Sequence, residues 1–168
     1  MREYSPMVTA LAVALCGAAY AQDAGKAVAG LSVTGDVTSR LMLTAEDLAK
    51  MPRQAVTAKE ESGATVQYEG VLLREILKRA GAPVDAQMRG KALAGYVLAK
   101  ARDGYQVVFS LAELEPDYGN QLVLVADKRD GAPLTGNLGP LRIVCPNDKK
   151  GARSVRMLES LEVVQLRK

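Results

Sequence analysis

NLGPLRIVCPNDKKGARSVR occupies residues 137–156. A turn, a short apolar strand, one cysteine and five basic residues crowd into it. Arg142, Lys149, Lys150, Arg153 and Arg156 face a single acid, Asp148. Side chains alternate across a strand, so Leu141, Ile143 and Cys145 share one side and Arg142 and Val144 the other. The first side reads as core. The second aims a planar guanidinium, suited to phosphate or carboxylate, away from that core. Ser154 and the backbone N–H groups beside it would supply a concave set of anion donors. Read from the residues alone, a second account stays open: Arg142 pairs with a carboxylate at a strand edge, and the basic run is a solvated loop.

Working outward, the same strand-and-turn grammar repeats. After this stretch, residues 157–166 read as the final strand. Before it, residues 121–126 (QLVLVA) read as a strand and 130–133 (DGAP) as a turn. Residues 95–101 and 105–109 flank Asp103-Gly104, a hairpin turn that wants positive φ. Ser110 and Glu113 form a capping-box pattern for one helical turn before Pro116. Residues 71–80 (VLLREILKRA) place Leu72, Leu73, Ile76, Leu77 and Ala80 on one helical stripe, closed by Gly81. Residues 54–60 and 64–68 read as strands joined through Glu61-Ser62-Gly63. Val56 and Ala58 share one face of the first, and Val66 and Tyr68 one face of the second. Residues 31–37 (LSVTGDV) alternate like a half-buried strand, and Leu41 and Leu43 continue the pattern. Thr44 and Asp47 then start a short helix that Pro52 stops. Strands outnumber helices and hairpins outnumber crossovers. The expected class is α+β, with mixed, mainly antiparallel sheets and a few short helices.

The first residues stand apart. Residues 8–19 are apolar and uncharged, and Ala19-Tyr20-Ala21 offers a small-x-small cleavage site. Residues 1–21 are expected to be a signal peptide, residues 22–30 a flexible lead, and residues 31–168 a single domain. The apolar run is too short for a membrane span. A lipoprotein cut before Cys16 is the alternative, but Leu15 stands where a small residue belongs. Cleavage would leave 147 of the 168 residues with the net charge of +3 unchanged. The expected location is the periplasm.

Composition narrows the chemistry. The chain has no histidine, which removes the commonest general base and metal ligand and every Ser-His or Cys-His pair. Past residue 21 the only cysteine is Cys145, so neither an internal disulfide nor a cysteine-rich zinc site is available. Four tyrosines, one phenylalanine and no tryptophan remain there, too few for a nucleic-acid stacking platform. Glu60 and Glu61, and Glu113, Glu115 and Asp117, are expected to be solvated carboxylates at a turn and a short helix. Tyr68, Tyr96, Tyr105 and Tyr118 are expected at core edges with wet hydroxyls.

The ordered set LSVTGDV, LTAEDLAKMPR, YEGVLLREIL, DGYQVVFSLAEL, LVLVADKRDGAPL and GPLRIVCPNDKKGARSVRMLESLEV resembles the sulfite-oxidase-type molybdopterin-binding domain, in its small, exported, single-domain form. The resemblance implies that fold and a pterin cofactor whose phosphate end is held by the C-terminal stretch. The family's Asn-Gly-Ala-Pro-x-Arg pattern falls on residues 137–142, which makes Asn137 and Arg142 candidate contacts. Its later clasp falls on Ser154, Val155 and Arg156. The family's molybdenum-ligating cysteine would lie in residues 56–60, where this chain has Thr57, Ala58, Lys59 and Glu60. No metal ligand is therefore expected, and Cys145, on the core side of its strand, is expected to be a buried hydrophobe. The twin arginines that accompany folded export of such enzymes are also missing, since Glu3 follows Arg2. The expected function is binding of a pterin- or phosphate-like anion, or of a periplasmic protein partner, without molybdenum catalysis. The alternatives are a molybdopterin-dependent oxidoreductase holding its cofactor atypically, and an accessory protein with no small ligand.

Overall fold

The computed structural model describes residues 30–60, 62–84 and 88–166. The expected signal peptide, most of the lead and Glu61 lie outside the described residues. The elements run β1 (Leu31–Gly35), β2 (Leu41–Leu43), α1 (Ala45–Ala49), β3 (Arg53–Lys59), β4 (Thr65–Leu72), α2 (Leu73–Arg79), β5 (Tyr96–Ala101), β6 (Gln106–Ser110), α3 (Leu111–Leu114), β7 (Leu124–Arg129), β8 (Ala132–Pro133), β9 (Arg142–Val144) and β10 (Leu158–Val164). The α+β class with mixed sheets is what the structure has. Among the described residues no helix is long and apolar enough to cross a membrane.

Local chemistry places the short helices. Thr44 Oγ1 accepts from the Asp47 N–H, and Asp47 returns the bond to the Thr44 N–H. At α3 the Glu113 carboxylate accepts from the Ser110 N–H at 2.9 Å. Both capping boxes thus satisfy N–H groups that a helix start leaves orphaned.

The first sheet has the order β2-β1-β10-β5-β6, and β1 with β10 is its parallel pair. The second runs β3-β4-β7, and the far edge of β7 is shared by β8 and β9. One apolar cluster joins the two sheets: Val33, Val97 and Leu161 from the first meet Val71, Val125 and Ile143 from the second, with Ile76 and Leu77 of α2. The opposite face of the second sheet carries a smaller cluster of Val56, Val66, Tyr68, Leu72, Leu124, Ala126, Leu134 and Val144.

Two elements depart from expectation. The helix expected over residues 71–80 starts later, because Val71 and Leu72 complete β4, paired with Val125 and Leu124. Leu72 therefore joins the smaller cluster, while Leu73, Ile76, Leu77 and Ala80 keep the stripe. A short apolar run suits either period, and cross-strand bonds decide it here. The strand expected over residues 121–126 is shifted to β7, which extends through Arg129 because Lys128 and Arg129 still pair with Glu69 and Tyr68. Gly70 lies inside β4 at a bulge. A Cβ there would sit 2.0 Å from the Val125 carbonyl oxygen.

Candidate functional site

Strand β9 has three residues and is held on both sides. Its partners on β7 are Ala126 for Arg142, Val125 for Ile143 and Leu124 for Val144. On the other side the Ile143 N–H donates to the Val155 carbonyl at 2.8 Å, and the Cys145 N–H to Ser154 Oγ at 3.3 Å. Leu141, Ile143 and Cys145 enter the large core, so Arg142 and Val144 turn to the smaller cluster. The row Arg142–Ala126–Gly70 is small beyond Arg142, which leaves the guanidinium room to lie across the sheet toward Tyr68. Its Cζ is 5.1 Å from the centre of the Tyr68 ring.

Arg142 is only 8% exposed. Its Nη1 donates to the Tyr68 hydroxyl at 2.8 Å and lies 3.6 Å from Glu60 Oε1. Its Nε is buried with no partner. Buried polar groups are nearly always bonded; among the described residues this atom shares the unpartnered state with Arg74 Nε and Glu115 Oε1, neither of which borders this cavity. The Tyr68 hydroxyl donates to Glu60 Oε1 at 2.6 Å, and Glu60 Oε2 accepts from Arg129 Nη2 at 3.1 Å. That hydroxyl, then the charges of Arg129, Arg142 and Arg156, hold the Glu60 carboxyl below its usual range. Burial, and then the bond to Glu60, pushes the Tyr68 phenol up.

These groups border a cavity of about 780 Å³. Lys59, Arg129, Arg142, Lys149, Lys150 and Arg156 line it, against Glu60 and Asp148 as the acids. Such a volume suits a small-molecule ligand, and the excess of cations suits an anionic one.

The expected site residues are distributed as follows. Arg142, Ser154 and Arg156 come together on the cavity wall. Ser154 Oγ is occupied by the Cys145 N–H, and the Ser154 N–H donates to Gly151. Val155 is wholly buried in the large core. Asn137 is exposed in the 3-10 turn Gly136–Leu138 and does not border the cavity. Two expectations are corrected. Tyr68 is 1% exposed, and its hydroxyl is bonded rather than wet. Glu60 and Glu113 are ion-paired rather than free in solvent. Parity would have found the first pair: Glu60 continues the Val56–Ala58 face, as Tyr68 continues that of Val66.

A second arginine of the quoted stretch, Arg153, has a different task. Arg153 Nε and Nη2 donate to Asp148 at 2.8 and 2.9 Å, and Nη1 donates to Glu113 at 3.1 Å. Its Cζ lies 5.3 Å from the Phe109 ring centre. This fork ties the basic loop to α3 and β6. Cys145 lies below it, buried, with Sγ 3.8 Å from the Arg153 carbonyl. Burial, then the Asp148 charge, pushes its thiol up to about 12.

Comparison with known proteins agrees with this architecture. A family model, the oxidoreductase molybdopterin binding domain, matches residues 23–168. Among solved structures, the sulfane dehydrogenase SoxCD from Paracoccus pantotrophus is similar with a TM-score of 0.61 and 22% identity, over 83% of this chain and 39% of that one. That likeness concerns the fold, and this chain spans about two-fifths of that protein's length. A search of curated proteins finds no match. With nearly its whole length covered by the family model, the chain belongs to the oxidoreductase molybdopterin binding domain family.

Proposed function

We propose that this protein binds a pterin- or phosphate-like anion in the basic cavity and carries out no molybdenum chemistry. The observation that carries this reading is Arg142, an arginine on the cavity wall whose Nε is buried with no partner in the protein. Leaving such a donor unpaired costs about 1–3 kcal/mol, a penalty that a bound oxyanion relieves. The cationic lining supports the same class of ligand.

The residues fit the family's cofactor in part. Arg142, Arg156 and Ser154 would hold the anionic end of a pterin. The metal end lacks a donor set. Ala58, in the segment where the resemblance puts the ligating cysteine, borders the cavity with a methyl group. Cys145 also borders it, but its side chain packs in the large core with Sγ 3.8 Å from the Arg153 carbonyl. Among the described residues no group of three or more Cys, Asp or Glu is placed to hold a metal ion. Family membership favours a second reading, a molybdopterin-dependent oxidoreductase with atypical metal binding. We also place the protein in the periplasm, on the signal-like residues 1–21, where a protein partner offering an acidic segment is the other candidate occupant.

Thermal-shift measurement with inorganic phosphate, pyrophosphate, pterins and nucleotides tests the leading reading. At least one should stabilise the protein, and Arg142→Ala should abolish that shift. A shift that survives Arg142→Ala unchanged means the site is wrong. Stoichiometric molybdenum in protein purified from its native cells would replace the leading reading with the second.

A further inference from the structure

We infer that Glu60 is a built-in occupant of the anion site, a carboxylate that an incoming oxyanion must displace from Tyr68 and Arg142. The inference rests on the anion-binding reading above and adds the residue that sets its affinity.

Glu60 sits just beyond β3, on the cavity wall. Its two oxygens make the contacts a ligand oxyanion would make: Oε1 takes the Tyr68 hydroxyl at 2.6 Å and faces Arg142 Nη1 at 3.6 Å, and Oε2 takes Arg129 Nη2 at 3.1 Å. Yet one carboxylate does not saturate the donors, because Arg142 Nε is left over. The pocket is therefore partly neutralised and still short of an acceptor.

The backbone at Glu60 is pinned. Its N–H donates to the Ala64 carbonyl at 2.9 Å, and its carbonyl accepts from the Gly63 N–H at 2.8 Å. Displacement is thus a side-chain rotation that leaves the turn intact. Rotation frees the Tyr68 hydroxyl, which then donates to the newcomer alongside Arg142. Glu60 can keep Arg129 while it moves, since that contact uses the other oxygen. Asp148, the other acid on the wall, differs: Arg153 grips both of its oxygens, so it adds to the field without blocking a donor.

The test is calorimetric titration of the full-length protein with inorganic pyrophosphate at pH 7 and low salt. Glu60→Gln removes the charge and keeps the shape. It should bind pyrophosphate at least tenfold more tightly than the natural protein, while Asp148→Asn should change affinity less than threefold. Glu60→Asp keeps the charge but is too short to reach Tyr68 and Arg129 together, and it should fall between. An unchanged or weaker affinity in Glu60→Gln and Glu60→Asp, or an equal gain from Asp148→Asn, overturns the inference. If the natural protein binds pyrophosphate, Arg142→Ala abolishes binding and the Glu60 variants change nothing, the anion-site reading stands and this inference alone falls. If neither the natural protein nor Glu60→Gln binds pyrophosphate, this inference falls, and the anion-site reading falls with it only if phosphate, pterins and nucleotides also fail to stabilise the protein.

Discussion

Arg142 and Arg153 lie in one stretch, and their different tasks should appear as unequal effects on stability. In Arg153→Met, Asp148 loses two charge-assisted bonds and keeps only the Gln121 Nε2 contact at 3.2 Å. Glu113 loses its ion pair but still accepts from Ser110. Hydrogen bonds to charged groups are worth about 1.5–3 kcal/mol each when buried. The Arg153 side chain is 33% exposed, so solvent screens part of that. A net loss of about 2–3 kcal/mol follows, which for a domain of this size is a fall in Tm of about 6–12 °C.

Arg142→Met has terms of both signs. It loses one bond to the Tyr68 phenol, worth about 1 kcal/mol, a cation–π contact of similar size, and the 3.6 Å ion pair with Glu60, worth up to about 1 kcal/mol. It also removes a buried orphan Nε whose penalty is about 1–3 kcal/mol. Tyr68 keeps Glu60 as acceptor, and Glu60 keeps Arg129. The net loss should be about 1 kcal/mol or less, well below that of Arg153→Met. Equilibrium urea unfolding at pH 7, in phosphate-free buffer and on protein refolded from urea so that nothing stays bound, measures both variants. If Arg142→Met costs as much as Arg153→Met, then Arg142 is a structural strut and the argument from its unpaired donor is refuted.

Four further outcomes are expected. The Cys145 thiol, pushed up to about 12 by burial, should react with a disulfide reagent at pH 8 about three orders of magnitude more slowly in the folded protein than in urea; comparable rates would refute its burial. Because this thiol's folded value is raised, its contribution to stability is present below pH about 9 and is lost as pH climbs toward about 12, and Cys145→Ala should flatten that alkaline limb. Asp148, held low first by the Arg153 hydrogen bond, and Glu60, held low first by Tyr68, contribute stability present above pH about 4 and lost as pH falls through their lowered values. Asp148→Asn should therefore shrink the acid limb of the urea midpoint, and an unchanged limb would count against the pairing. Gly70→Ala should cost about 3 kcal/mol, since its Cβ meets the Val125 carbonyl at 2.0 Å, while Gly151→Ala, with nothing within 4 Å, should stay within about 0.5 kcal/mol. Equal costs would mean that β4 gives way freely.

Legibility followed the range of the forces involved. The two capping boxes, the Asp103-Gly104 hairpin and the faces of residues 141–145 rest on neighbours a few positions apart, and each is present in the structure. The start of α2 and the register of β7 depend on cross-strand bonds to residues about 50 positions away, which no local pattern encodes. The site divides in the same way. Arg142 was visible because strand parity sets its direction. The Glu60–Tyr68–Arg142 contact needed the second sheet to bring β3, β4 and β9 together. Nothing local distinguished Arg153 from Arg142. Only the docking of the loop against α3 made the first a tie and left the second facing the cavity.

The position of Arg142 is itself an argument for a ligand. A one-residue slip of β9 against β7 would send Arg142 into the large core and turn Leu141 and Ile143 toward the cavity. That register is excluded because Ile143 is anchored on both sides, to Val125 in the sheet and to Val155 across it. The direction of Arg142 is thus imposed by the core, but the arginine is not. Methionine or leucine at the same point would also cover Tyr68 and Val144, and Glu60 would keep Tyr68 and Arg129 as partners. The contacts that tie the guanidinium to Tyr68 and Glu60 use Nη1 alone; the protein gives Nε no partner, whereas an anion in the cavity would supply one.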